Sequence, residues 1–180
     1  DRSTAAGSEL ATTFYVDDVQ IQEVTPGIVA ANSLGPDGWI KSVSADKVWR
    51  EHDVSNTDDA SRNTKDGSFY SLKIDYAGVD SAIQYQQVSA QSNEEWVYKL
   101  RGRTVTFGAW AKTGVSPSLL RLGIHDGSWT NSSYHTGGGA WEWLEMTRTI
   151  SVTATRVNIA IGNSGAAGIG YISQPMLVFG

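Results

Sequence analysis

The stretch from Gly123 to Met146 concentrates the side chains that most plainly suggest chemistry. It holds three of the chain's seven Trp, one Tyr, two His and five Gly within twenty-four residues. The aromatic residues are scattered among Gly, Ser, Thr and Asn, which favour turns and loops, and they do not repeat at a core period. Flat aromatic faces on a loop offer contact area at little entropic cost, so they suit a sugar ring or another surface. The stretch therefore predicts binding and not catalysis.

Residues that could perform catalysis are present, but they lack the required spacing. The adjacent acids are Asp17-Asp18, Asp58-Asp59 and Glu94-Glu95, and their polar surroundings predict solvated turns instead of the paired carboxylates of a glycosidase. No Gly-x-Ser-x-Gly elbow occurs, and the three His carry no metal-ligand spacing. We predict that the protein is not an enzyme and has neither catalytic residues nor a metal bound by His.

Composition narrows the class of partner. The chain has 180 residues, a formal net charge of -5 and no Cys, and its Lys and Arg are dispersed. Dispersed basic residues in an acidic chain provide no footprint for nucleic acid, and no apolar run approaches the roughly 20 residues of a membrane helix. We therefore expect no nucleic-acid partner and no membrane insertion. The first residues lack the plan of a signal peptide, and the chain begins without Met, so we expect a soluble, mature or excised piece of a longer polypeptide.

Short alternating runs recur about every ten residues and are bounded by Gly, Asn, Asp and Ser, which is typical of an all-β sandwich. The sequence predicts nine or ten strands in two antiparallel sheets, with polar loops at 53–67 and 164–168. The clearest strands are Thr12 to Glu23, Lys47 to His52, Phe69 to Tyr76, Ala82 to Val88, Thr104 to Lys112, Leu119 to His125, Leu144 to Val152, Arg156 to Gly162 and Gly170 to Val178.

Alternation also assigns the faces of these strands, because successive side chains point to opposite sides. The apolar sets predicted to face the core are Val105, Phe107, Ala109 and Ala111; Leu120, Leu122 and Ile124; Ile83 and Tyr85; and Val157, Ile159 and Ile161. If the strands share a sheet, its free face carries Trp110, Arg121, His125, Gln84, Gln86 and Asn158. Small residues on that face would leave a trough between an aromatic ring and hydrogen-bonding groups that suit sugar hydroxyls. The alternative is that Trp110 is covered by the N-terminal segment or a loop and only packs.

Three segments then carry a resemblance to a known family. They are Asp66 to Lys73 (DGSFYSLK), Leu100 to Lys112 (LRGRTVTFGAWAK) and His135 to Glu142 (HTGGGAWE), and Tyr171 to Val178 closes the chain. From about Gly35 to Gly180 the sequence resembles the carbohydrate-binding-module-like jelly-roll domains of the family 4, 9 and 22 type, which also occur in phage tail and other virion proteins. The resemblance implies a jelly roll with a glycan along its concave face, where the surface of Trp110 and Arg121 would lie.

The same resemblance implies loop contacts and a structural ion. Trp129 and Tyr134 are the loop aromatics that it places at the rim of the face, and the residue types add His135 as a third loop candidate for ligand contact. Many members hold a calcium ion that ties the chain start to the last strand through carboxylates. This chain has Ser173-Gln174 where an Asp is expected, so the only cofactor considered is a structural calcium whose ligand set is incomplete.

A short sequence pattern that occurs twice in the chain sets the predicted domain boundary. Tyr15 to Ile21 matches Tyr171 to Leu177 in its Tyr and apolar positions. We therefore predict that residues 1–28 form an extension, either an edge strand or the remnant of a preceding module with its linker. Residues 29–180 would form the carbohydrate-binding-like domain. The expected partner is a polysaccharide or cell-surface glycan, outside the cell or on a virion. The alternative is a structural or host-attachment module of a phage or extracellular fibre that assembles, as a homo-oligomer or with neighbouring modules, through contacts including residues 12–24.

Overall fold

The computed structural model describes residues 39–43, 45–52, 62–87, 94–115 and 119–179, without the side chains of residues 85–87 and 94–96. The predicted strand at residues 12–24 and the proposed boundary near residue 28 lie outside these ranges. The described elements, in chain order, are β1 (Trp39–Lys41), β2 (Lys47–Glu51), β3 (Ser71–Ala77), β4 (Ala82–Gln87), α1 (Glu94–Leu100), β5 (Thr104–Thr113), β6 (Arg121–His125), β7 (Trp129–Asn131), β8 (Trp141–Thr149), β9 (Val157–Gly162) and β10 (Ala167–Phe179).

The strands form two antiparallel sheets of five strands each. The first sheet has the order β1-β4-β9-β6-β7, and the second has the order β2-β3-β10-β5-β8. The apolar side chains that alternate along each strand cover the inner faces of both sheets, and these faces pack on each other as in a β-sandwich. The predicted all-β, two-sheet jelly-roll sandwich is confirmed.

The core consists of the apolar positions that alternation assigns to the inner faces. Val105, Phe107, Ala109 and Ala111 on β5 are at most 1% exposed. Leu120, just before β6, and Leu122 and Ile124 on β6 are fully buried. Ile83 and Ile161 are buried against them. Burial of each large aliphatic or aromatic side chain stabilises the fold by about 1.5 to 3 kcal/mol, so this shared interior is the main source of cohesion between the sheets.

Three elements are absent from the sequence prediction, namely the short strand β1, strand β7 and helix α1. Strand β7 lies where the sequence predicts a loop, and its register pairs His125 with Trp129 and Gly123 with Asn131. A hairpin turn whose Gly127 has a φ of 130° brings these residues together. Helix α1 spans only seven residues and ends before Gly102, whose φ of 73° is typical of a residue that terminates a helix. This helix, the only one in the described part of the chain, is too short to span a membrane.

Candidate functional site

The outer face of the second sheet is partly covered by the protein's own chain. Residues 62–68, which we call the strap, cross it near the ends of β5 and β8. The carbonyl oxygen of Arg62 accepts hydrogen bonds from Lys112 Nζ at 2.7 Å and from Trp141 Nε1 at 3.2 Å. These bonds hold the strap against the sheet and leave Lys112 buried. The strap therefore covers this end of the face, whereas Trp110 and Trp143 further along remain half-buried.

Trp110 lies on this face of the second sheet. The prediction that it shares a sheet with Arg121 is therefore wrong. Trp110 lies on β5 in the second sheet, whereas the other five face residues lie on β4, β6 and β9 in the first. Its ring packs edge-on against Trp143, with centroids 5.6 Å apart, and Lys65 Nζ of the strap stands 4.9 Å from the ring centroid. The alternative that a loop covers Trp110 agrees with this geometry in part, because Lys65 of the strap lies over a ring that remains half-buried.

The outer face of the first sheet carries an open groove. Its floor consists of small residues brought together by strand register, with Gly123 beside Ala160, and Gly162 beside Ala82. The groove has a volume of about 250 Å³. This value is just below the roughly 300 to 1,000 Å³ of small-molecule pockets, so the groove suits a short piece of a larger ligand. Its lining residues are Ser42, Asp80, Ser81, Ala82, Gln84, Arg121, Gly123, Trp129, Asn131, Ala160, Gly162 and Asn163.

Trp129 forms one wall of this groove. Its side chain is exposed, and its indole lies close to the backbone of Gly123, where no side chain intervenes. Its ring meets the ring of His125 edge-on, with centroids 5.0 Å apart. An indole that is supported on one side by protein and open on the other presents a flat apolar surface to a ligand.

Arg148, on β8 of the second sheet, holds the hairpin that carries Trp129. Its guanidinium donates to the carbonyl oxygen and to the hydroxyl of Ser128, each at 3.1 Å, and to the hydroxyl of Thr130. It also pairs with the buried carboxylate of Asp126, which accepts a 2.7 Å hydrogen bond from the backbone N–H of Ser151. Because the pair ties three residues of the hairpin to the opposite sheet, it fixes where the indole stands.

Arg121 forms a polar wall. Its guanidinium lies 4.8 Å from the ring centroid of Tyr134, so the Tyr supports the Arg from the side. A guanidinium held in this way keeps N–H donors in a fixed plane, which matches vicinal hydroxyls or a carboxylate on a ligand. Tyr134 therefore positions a groove residue, and Arg121 itself lines the groove.

The remaining predicted site residues occupy different levels. Gln84 lines the groove. His125 and Asn158 are buried, at only 7% and 5% exposure, so their side chains lie below the exposed surface of the sheet. The backbone of Gln86 pairs with Asn158, and its side chain is not described. His125 and Asn158 thus support the face more than they contact a ligand.

His135 is a correction, because its side chain is only 1% exposed and cannot reach a ligand. Its Nδ1 accepts a 2.8 Å hydrogen bond from the N–H of Gly137, and its Nε2 donates to the carbonyl oxygen of Ala140 at 3.0 Å. Both ring nitrogens are thus used to close the loop of residues 135–140. The side chain is structural because a loop rich in Gly needs such an anchor.

Sequence reasoning missed Asn131, Asp80 and Ser42 as groove residues. Asn131 had a detectable signal, since Asp126-Gly127-Ser128 is a turn sequence and pairing across it would place Asn131 opposite Gly123. Asp80 and Ser42 lie outside the strand cores, where alternation gives no information about direction. Both residues reach the groove because the loops that follow β1 and precede β4 lie at its edge.

The charge state of His125 is set by its surroundings. Burial lowers the pKa of its imidazole below the ordinary value, and the nearby guanidinium of Arg156 lowers it further. Arg156 Nη2 stands 3.4 Å from His125 Nε2. The imidazole beneath Trp129 is therefore held in its neutral form around neutral pH.

Comparisons with known proteins bear on the fold. No protein-family model matches the chain, and no curated protein sequence matches it. Among solved structures, the chain is similar to the xylan-binding domain CBM22-1 of Xyn10C from Paenibacillus barcinonensis. The TM-score is 0.57 at 10% identity, over 86% of this chain and 95% of that one.

Two further solved structures show the same fold in larger proteins. One contains the CBM22-1 and GH10 modules of a Clostridium thermocellum endo-1,4-beta-D-xylanase with xylohexaose, at a TM-score of 0.55 and 10% identity, over 85% of this chain and 28% of that one. The other is the enzymatically active domain of bacteriophage CBA120 tailspike protein 4, at a TM-score of 0.54 and 14% identity, over 79% of this chain. The chain spans only 19% of that tailspike structure. The resemblance to carbohydrate-binding-module-like jelly rolls is thus confirmed for the fold.

Proposed function

We propose that this protein is a non-catalytic module that binds a glycan in the groove of its first sheet. The observation that carries the proposal is the exposed Trp129 indole, held beside a floor of Gly and Ala and facing polar side chains. The C–H face of a pyranose can lie on such an indole while Arg121, Asn131 and Gln84 meet its hydroxyls. The solved carbohydrate-binding modules of similar fold support this choice of ligand class.

The interaction is expected to be weak for a single module. One aromatic wall and a few hydrogen bonds on an open surface correspond to a dissociation constant on the order of micromolar to millimolar. Linked copies or neighbouring modules would multiply this affinity without any new contact. The proposed setting is extracellular or on a virion, where repeated glycans favour such avidity.

A glycan array probed with the full chain tests the proposal, with Trp129→Ala as the test variant. We expect the wild type to bind at least one glycan and Trp129→Ala to bind it about tenfold or more weakly, since the stacking surface is gone. Trp110→Ala is the matched control, because it removes an indole of the second sheet. Loss of binding in Trp110→Ala but not in Trp129→Ala would contradict the groove assignment.

The second candidate is a structural or host-attachment module of a phage or fibre. The fold shared with part of a phage tailspike favours it. This function would depend on protein contacts, for which the sequence offers residues 12–24. Sedimentation of the full chain, compared with a chain lacking residues 1–25, tests the idea: assembly that disappears with that segment supports it. A wild type that binds glycans and stays monomeric contradicts it.

A further inference from the structure

Gln174 has a backbone conformation that side chains other than Gly seldom adopt. Its φ is 50°, and it is the one residue besides Gly with a positive φ in the described part of the chain. It lies where β10 changes register against β5, between Ser173 and Met176. A bulge of this kind redirects a side chain away from the regular alternation of the strand. Here it directs the amide of Gln174 towards the strap.

The amide of Gln174 joins the last strand to the strap by two hydrogen bonds. Its Nε2 donates to the carbonyl oxygen of Asp66 at 2.9 Å and to the hydroxyl of Ser68 at 3.0 Å. A backbone carbonyl can only accept, so the group that faces Asp66 must be the NH₂ and not the oxygen. Ser173 adds a third link, because its hydroxyl donates to that of Ser68 at 2.9 Å.

The oxygen atoms around this point are the kind that a calcium ion uses, but the set does not fit the ion. Calcium takes six to eight oxygen ligands and favours carboxylates. The position on β10 supplies an NH₂ donor in place of a carboxylate, and the carboxylate of Asp66 instead pairs with Arg62 at 2.7 Å. No group of three acidic or His side chains that could hold a metal ion occurs among the described residues.

We infer that the Gln174 amide joins the strap and β10 without a metal, because it presents an NH₂ donor where the resemblance predicts a carboxylate ligand for calcium. The NH₂ group donates to a carbonyl and a hydroxyl oxygen of the strap, so these acceptors are satisfied without a cation. The strap lies across the second sheet, so the link also keeps Lys65 over Trp110 and the Arg62 carbonyl over Lys112. This inference does not depend on glycan binding by the groove.

The test measures amide hydrogen exchange across residues 62–72 in the full-length protein, first in excess EDTA and then with calcium chloride. We expect the wild type to give the same protection in both conditions. Gln174→Glu has nearly the same shape but presents a carboxylate to the Asp66 carbonyl. We expect it to lose protection in EDTA, because the donor is gone and two hydrogen-bond acceptors then face each other.

Ser164→Asp is the control, since it adds the same charge in an exposed loop away from the strap. It should exchange like the wild type. Calcium-dependent protection of residues 62–72 in the wild type would overturn the inference. Equal protection of the wild type and Gln174→Glu in EDTA would overturn it as well. The wild-type measurement decides the question even if Gln174→Glu folds poorly.

Discussion

The indole ring of Trp129 lies directly over Gly123. A Cβ atom on Gly123 would stand 3.2 Å from both Cε3 and Cζ3 of that ring, and 2.8 Å from Oδ1 of Asn131. These distances are shorter than ordinary contacts, so any other residue at position 123 must displace a neighbour. The floor of the groove and the position of its aromatic wall are therefore set by the same residue.

Gly123→Ala should weaken glycan binding by about tenfold, equivalent to about 1.4 kcal/mol, because the added methyl group tilts the indole and moves the Asn131 amide. The measurement is isothermal titration with the best glycan from the array. Gly114→Ala is the matched control, since nothing stands within 4 Å of a Cβ there. Equal affinity in Gly123→Ala and the wild type would show that Trp129 is not the stacking surface.

Arg148→Met should both destabilise the protein and weaken binding. The substitution leaves the buried Asp126 carboxylate without its cation and frees the hairpin that carries Trp129. A cost of about 2 kcal/mol is expected, below the 3 to 5 kcal/mol of a fully buried pair because Arg148 is partly exposed. Thermal unfolding measures the destabilisation. Exchange of the amides at residues 127–130 measures the release of the hairpin, and titration with the glycan measures the weaker binding. The exposed Arg103→Met serves as control, and a hairpin equally protected in Arg148→Met would refute the positioning role.

Period-two alternation predicted the fold and the core well. It assigned Phe107, Leu122 and Ile124 to the interior correctly, because burial of one face fixes the direction of every side chain along a strand. It also placed Arg121 and Gln84 on an outer face, where both line the groove. Such local rules require no knowledge of how strands are ordered.

Alternation could not predict which strands belong to which sheet. Trp110 and Arg121 each point outward from their strands, but they do so from opposite sheets. Alternation gives the side of a strand and not the sheet to which it belongs, since that depends on pairing between residues distant in sequence. Burial of His135 escaped prediction for a related reason. Its partners are backbone groups of its own loop, and polar composition does not reveal them.

Stability should decrease with acidification through His125. Its folded-state pKa lies below the ordinary value of 6.5, so the unfolded chain takes up a proton first as the pH falls. The contribution of neutral His125 to stability is therefore fully present above about pH 6.5. It is lost as the pH falls from there through the folded-state pKa. His125→Gln should remove this part of the pH dependence. The thermal midpoint, measured from neutral to mildly acidic pH, tests the difference between the two proteins.

His52→Gln is the control for that comparison, because His52 is exposed. It should retain the acid-induced loss seen in the wild type. If His125→Gln lost stability with acid as steeply as the wild type, the imidazole beneath Trp129 would not be the responsible group.

Gly108→Ala should separate stability from binding. Trp143 lies across Gly108, where a Cβ would stand 2.9 Å from its Cη2 atom, so the methyl group must push the indole off the outer face of the second sheet. Overpacking of this kind costs about 1 to 3 kcal/mol, which should lower the thermal midpoint. Glycan affinity measured below that midpoint should stay at the wild-type value, because the groove lies on the other sheet. A parallel loss of affinity would place the binding surface with Trp110 and Trp143 instead.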